Sequence, residues 1–149
     1  MSKQKKHPRD DLQDHIHEAT TMTPSEAILE QFAAENTEVM FGIVGSAFMD
    51  ILDIAPKAGI EYVHVRHEQN AAHMSDGYAQ ALRGKKPGLW VAQNGPGVTN
   101  MVTGIKAAQL NHSPVIMLSP TATTGSIGTD TFQEADQMSI FEDCVDYQQ

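Results

Sequence analysis

A single cysteine, Cys144, stands among 149 residues, so neither an internal disulfide framework nor a thiolate zinc cluster can be built from this sequence. One thiol fits a reducing compartment. The charged start Met1-Ser-Lys-Gln-Lys-Lys6 has no apolar h-region behind it, and the expected location is cytoplasmic. No run approaches 18 consecutive apolar residues, so no membrane partner is expected. Basic side chains are scarce and unevenly spread. Four of the ten (Lys3, Lys5, Lys6, Arg9) fall in the first nine positions, leaving six basic against 19 acidic side chains in residues 10–149. A body of that sign repels phosphate backbones, so no nucleic-acid partner is expected and the basic arm reads as a solvated tail. The glycine fingerprints G-x-G-x-x-G and G-x-x-x-x-G-K-[ST] are both missing. So is G-x-S-x-G: around Ser46 the chain reads Ile43-Val-Gly-Ser-Ala-Phe48, which argues against a serine nucleophile elbow.

What is present suits one globular domain, since 149 residues with 40% hydrophobic content can bury a real core without staples. Residues 1–22 are polar, contain Pro8 and lack apolar periodicity, so a disordered arm is expected there. His15-Ile-His17 lies within it and reads as part of the arm rather than as a metal site. Order is expected from Thr23-Pro-Ser-Glu26, where Thr23 can cap, Pro24 suits the first helical position and Glu26 can close a capping box. Ala27, Ile28, Phe32 and Ala33 carry a helical stripe to about Asn36. The apolar run Val39–Val44 reads as a buried strand. Helix 47–55, strand 62–66, helix 68–82, strand 89–93, helix 98–110 and strand 115–119 follow, with Thr121–Thr131 as a long, mobile loop. This alternation predicts a doubly wound α/β domain over residues 23–149, a parallel sheet with helices on both faces.

Ligands of such sheets sit beyond the carboxyl ends of the strands. Four segments reach that edge: Gly45-Ser46, His67-Glu68, Asn94-Gly-Pro-Gly97 and the chain from Pro120. Gly95-Pro-Gly97 before a helix start could cradle an anion, but without a lysine it reads first as a rigid turn. Glu68 falls in the first turn of a helix, where a carboxylate gains from the helix dipole even with no other role. His67-Glu-Gln-Asn-Ala-Ala-His73 is H-E-x-x-x-x-H, and residues six apart do not share a helix face, so the zinc-protease reading fails and His73 reads as an ordinary helix residue. No metal ligands are assigned.

Taken together, Phe41-Gly-Ile-Val-Gly45, Arg66-His-Glu68 with Ala71-Ala-His-Met74 and Asp76-Gly-Tyr-Ala79, Asn94-Gly-Pro-Gly-Val-Thr-Asn100, and Phe132-Gln-Glu134 resemble the pyrimidine-binding domain of thiamine-diphosphate enzymes in the acetolactate-synthase and pyruvate-decarboxylase superfamily. The order and spacing match over about residues 23–149. Within that superfamily, Gly45-Ser-Ala47, Gln93-Asn-Gly-Pro-Gly-Val-Thr99, Asn111-His112 and Phe132-Gln-Glu-Ala-Asp-Gln-Met138 followed by Phe141-Glu142 resemble the sulfoacetaldehyde acetyltransferase branch. The wider pattern has a second glycine where Ser46 stands and Thr-Ser where Gln93-Asn94 stand.

The resemblance implies thiamine diphosphate as cofactor, with Glu68 hydrogen-bonding a ring nitrogen of its aminopyrimidine and so promoting the tautomer that removes the thiazolium C2 proton. It implies that Val44, Gly45, Gly95, Pro96 and Gly97 wall the pyrimidine, that Asn100 supports their loop, and that Gln133 faces the reacting centre. The magnesium that anchors the diphosphate would be held by a G-D-G motif, which this sequence lacks, so a diphosphate-binding domain or chain is the implied partner in a homo- or hetero-oligomer. The implied reaction converts the small-molecule substrate sulfoacetaldehyde and phosphate to acetyl phosphate and sulfite. Alternatives are a small subunit of a 2-oxo acid decarboxylase of the sulfopyruvate type, an acetolactate-synthase-like enzyme, and a truncated, catalytically inert interaction module. A dinucleotide-binding domain is the fallback, disfavoured by the missing fingerprint.

Overall fold

A computed structural model describes residues 21–149. The expected disordered arm at 1–22, with His15 and His17, lies outside the described residues apart from Thr21 and Met22, both exposed. Helix α1 (Pro24–Ala34) begins as its sequence requires. The Thr23 side chain accepts from the Glu26 amide at 3.3 Å while Glu26 Oε2 accepts from the Thr23 amide at 2.7 Å, closing the capping box. Four short strands follow, β1 (Val39–Gly42), β2 (Glu61–His64), β3 (Gly88–Val91) and β4 (Val115–Leu118), in the spatial order β2-β1-β3-β4 and all parallel. The connections carry α2 (Met49–Ile54) after a 3-10 turn at Ser46–Phe48, α3 (Glu68–Ala81), α4 (Pro96–Thr99) and α5 (Val102–Leu110); α6 (Gln137–Phe141) lies near the chain's end.

Alternation along the strands sends side chains to two cores. On one face Leu29, Met40, Phe48, Ala55, Ala58, Ile60, Leu89 and Val91 pack together, roofed by α1 and α2. On the other, Phe41, Trp90, Ala72, Val98, Met101 and Ile105 pack beneath α3 and α5. Helices on both faces of a parallel sheet make this the doubly wound α/β domain expected. Among the described residues no helix is long and apolar enough to cross a membrane.

Two expectations need correction. The single helix predicted from Val98 starts earlier, at Pro96, and is interrupted at Asn100-Met101. Pro96 supplies the fixed φ of a first helical position, and Gly95 ahead of it turns sharply at φ 66°. The segment Thr121–Thr131, expected as a long, mobile loop, carries no helix or strand beyond a 3-10 turn at Thr124–Ser126, and one side chain staples it, a constraint the expectation did not include. Glu134 accepts from the Gly128 amide at 2.5 Å and the Thr131 amide at 3.1 Å. Those backbone donors hold its carboxyl below the usual range.

Candidate functional site

The strand order reverses direction between β1 and β3: the chain leaves β1 toward one edge and β3 toward the other. In open α/β sheets the crevice outside the carboxyl ends at such a switch point is where ligands bind. The segments expected at this edge are joined there by direct contacts.

Gln93, just past β3, closes the gap to the end of β1. Its Oε1 accepts from the Ala47 amide at 3.2 Å, and a Cβ added to Gly45 would lie 2.3 Å from the same oxygen, so only glycine lets the two strand ends approach this closely. Val44, beside it, is 53% exposed and offers an apolar surface at the rim.

Glu68 opens α3, capped by His67, whose Nδ1 accepts from the Gln69 amide at 3.1 Å. The Glu68 side chain is half-buried against the turn after β3. Oε2 accepts from Asn100 Nδ2 at 2.9 Å, and a Cβ at Gly97 would stand 3.6 Å from Oε1. No described residue donates to Oε1. The Asn100 side chain thus orients the carboxylate. Pro96 is exposed beside the buried Gly95 and Gly97.

The third junction runs from this turn to the segment after β4. Asn94 is buried; its Nδ2 donates to the Gln133 carbonyl at 3.0 Å and its Oδ1 accepts from Gln93 Nε2 at 2.5 Å. The Gly95 amide donates to Gln137 Oε1 at 3.2 Å, and Ser119 Oγ donates to the same oxygen at 3.1 Å. Gln137 Nε2 donates to the Pro120 carbonyl at 3.0 Å. Gln133 adopts φ 59°, and the Gly95 backbone comes so close that a Cβ there would lie 2.3 Å from the Gln133 oxygen.

Deeper along α3, Asp76 is 6% exposed and makes no ion pair among the described residues. Burial acts to raise its pKa, but the Ser113 hydroxyl and the amides of Gln80 (2.7 Å) and Asn111 (3.0 Å), with the nearby His73, outweigh that and hold the carboxyl below its usual range.

The predicted residues therefore fall into two connected groups: Glu68 with Gly97 and Asn100, and Gly95 with Gln133. Gly45 joins through Gln93, and Val44 contributes surface without a polar contact. Gln93, Asn94 and Gln137 as a connected amide network were not foreseen, because three amides 39 to 46 residues from their partners leave no periodic signal. Among the described residues no group of three or more His, Cys, Asp or Glu side chains could hold a metal ion.

Residues 22–140 match the family described as thiamine pyrophosphate enzyme, N-terminal TPP binding domain. The chain is similar to the sulfoacetaldehyde acetyltransferase of Alcaligenes xylosoxydans xylosoxydans, 50% identical over 127 residues that make up 85% of this chain and 21% of that protein. The sulfoacetaldehyde acetyltransferase of Castellaniella defragrans is 45% identical over 138 residues, 93% of this chain and 23% of the relative. An acetolactate synthase large subunit of Haemophilus influenzae is 39% identical over 120 residues, 80% and 21% of the two chains. The chain spans about a fifth of the length of these relatives.

Proposed function

The chain belongs to the thiamine pyrophosphate enzyme family as its N-terminal TPP-binding domain, and from that premise we propose that it forms the pyrimidine-binding half of an acetyltransferase that takes sulfoacetaldehyde and phosphate to acetyl phosphate and sulfite. The observation that carries the reading is Glu68: a carboxylate at the switch-point edge, one oxygen held by Asn100, the other accepting from no described residue. That open carboxylate oxygen fits an aminopyrimidine, which presents a ring nitrogen able to share a proton with a carboxylate. Bound thiamine diphosphate supplies the carbanion chemistry and the electron sink.

The residues of this chain would then bind and orient. Glu68 Oε1 holds a proton at the pyrimidine nitrogen while Asn100 fixes the carboxylate plane. Val44, Gly45 and the Gly95-Pro96-Gly97 turn wall the ring, the glycines allowing backbone to approach it. Gln133 faces the reacting carbons of the substrate. Magnesium and the diphosphate fall to a second domain carrying G-D-G, on the same polypeptide or another, since neither that motif nor a metal-holding cluster is found among the described residues. Gln93-Asn94 in place of Thr-Ser favours the acetyltransferase branch over the acetolactate-synthase one.

The test is Glu68→Gln in the chain assembled with a G-D-G domain. Exchange of the cofactor C2 proton should fall by at least about 100-fold, at the lower end of what a positioned proton-transfer group contributes, with the fold intact. Sulfite release and acetyl phosphate formation should fall with it. Wild-type exchange in an assembled, folded variant would refute the assignment.

A further inference from the structure

The amide network at the carboxyl edge links the two groups of site residues, and nothing in the proposed chemistry requires its three members to touch a ligand. We propose that Asn94, backed by Gln137, is a positioning residue that sets where Gln133 stands relative to Glu68; the inference rests on the role given to Gln133 above. Four observations converge on it. Asn94 is buried and spends its amide on the Gln133 carbonyl at 3.0 Å. Gln133 is held at φ 59°, a backbone region that side-chain-bearing residues seldom occupy and that surrounding contacts must maintain. Gln137 ties the next residue of the turn, Gly95, and both Ser119 and Pro120 at the end of β4. The same turn continues through Gly97 to Asn100, whose amide holds Glu68. The residue facing the substrate and the residue facing the cofactor are thus registered to one another through a single short segment, Asn94–Asn100. Gln93 completes the network, accepting from the Ala47 amide beyond β1 and donating to Asn94 Oδ1. A satisfied buried amide network of this kind specifies one geometry, and losing a member leaves a buried carbonyl unpaired.

Two variants test the proposal, Asn94→Ala and Gln137→Met, the second removing the hydrogen bonds while keeping side-chain length. Amide hydrogen exchange followed by NMR on this chain, which needs no cofactor, should show residues 131–137 exchanging about tenfold faster in each variant, as expected for one lost hydrogen bond. Protection in α3 and the sheet should stay within about twofold of wild type on the same basis. In the enzyme assembled with a diphosphate-binding domain, Asn94→Ala should lower kcat/KM by a similar factor of about ten while cofactor C2-proton exchange, which reports Glu68, is retained. Adding Asn94→Ala to Gln133→Ala should bring no further loss, since both act through one side chain. Unchanged exchange at 131–137, a uniform rise across all elements, or multiplicative losses in the double variant would each overturn the proposal. Should Glu68→Gln retain wild-type C2 exchange, the functional reading falls while the exchange measurement at 131–137 still decides the clamp.

Discussion

Replacing Gly95 with alanine tests the closest backbone approach at the site. Gly95 sits at φ 66° and ψ −112°, outside the left-handed helical region, a sparsely populated conformation that costs an L-residue on the order of 1–3 kcal/mol. The new Cβ would lie 2.3 Å from the Gln133 oxygen, 3.1 Å from its carbonyl carbon and 3.3 Å from its Cα. These are backbone atoms, so no rotamer change relieves the overlap. Gln133 must retreat, which breaks its 3.0 Å hydrogen bond from Asn94, about 1 kcal/mol more. The sum is about 3 kcal/mol, or a Tm lowered by about 10 °C for a chain of this length. The control is Gly77→Ala, in the middle of α3, where an added Cβ meets nothing within 4 Å. It should stabilise by about 0.5–1 kcal/mol, because alanine loses less backbone freedom in a helix. Thermal unfolding by far-UV circular dichroism, with urea midpoints as a check, reads both. If Gly95→Ala melts with wild type, or Gly77→Ala falls as far, the argument from the Gly95–Gln133 contact is wrong.

Two further predictions concern titration and capping. Because the Asp76 pKa is depressed on folding, its contribution is present above the unfolded value of about 4 and is lost as pH falls through the lower folded value. Asp76→Asn should therefore flatten the fall of Tm below about pH 4. Some slope should remain, since Glu26, Glu134 and Asp136 are also held below their usual values, each by neighbouring amide or hydroxyl donors. Thr23→Ala removes the side-chain half of the α1 capping box and should cost about 1 kcal/mol, read as a lowered urea midpoint at unchanged m-value. It should raise the Glu26 titration followed by NMR only in part, since the Thr23 hydroxyl donor is lost while the Thr23 backbone amide, the larger cause of the lowered value, remains.

The fold was legible because its signals are local or periodic. Thr23-Pro-Ser-Glu26 announces a helix start within four residues, and Val39–Val44 reads as a strand because its apolar run is too short for a buried helix and is bounded by Gly45-Ser46. Element ends were read one or two residues too long at the strands' carboxyl ends: Ile43-Val44 and Ala92-Gln93 are apolar or extended enough to continue a strand but lie past the last ladder pair. Glu68 and the Gly-Pro-Gly turn were legible as a motif, yet their contact through Asn100 spans 32 residues, and only the packing of α5 beside α3 brings it about. The amide network was harder still. Gln93, Asn94 and Gln137 look like any polar loop residues until the strand order places β4's continuation beside the turn after β3. Glu134 belongs to the Phe132-Gln-Glu134 motif, but its use as a staple for the preceding loop follows from two backbone amides that composition does not reveal.

The placement of Glu68 follows from how α3 is braced along its whole length. Glu68, Ala72 and Asp76 are spaced four residues apart and so form one stripe on the helix. Each meets the chain between Asn100 and Asn111 in a different way. Asn100 donates to Glu68 at 2.9 Å, and Asn111 donates to Asp76 at 3.0 Å. Between them, a Cβ at Gly104 would fall 2.2 Å from that of Ala72, so the two helices are in backbone-close contact at mid-length. Two amide-to-carboxylate bonds with a small-residue contact between them resist sliding and rotation of α3 against α5, which a purely apolar interface would resist only through packing. Asp76 can remain ionised in that interface because the side-chain amides of Gln80 and Asn111 donate to its two oxygens. Glu68 therefore takes its position from a rigid helix pair, and Gln133 takes its own from the clamp on Gly95. Both constraints pass through Asn94–Asn100, which makes that segment, rather than either of the side chains proposed to act, the element that sets their relative placement.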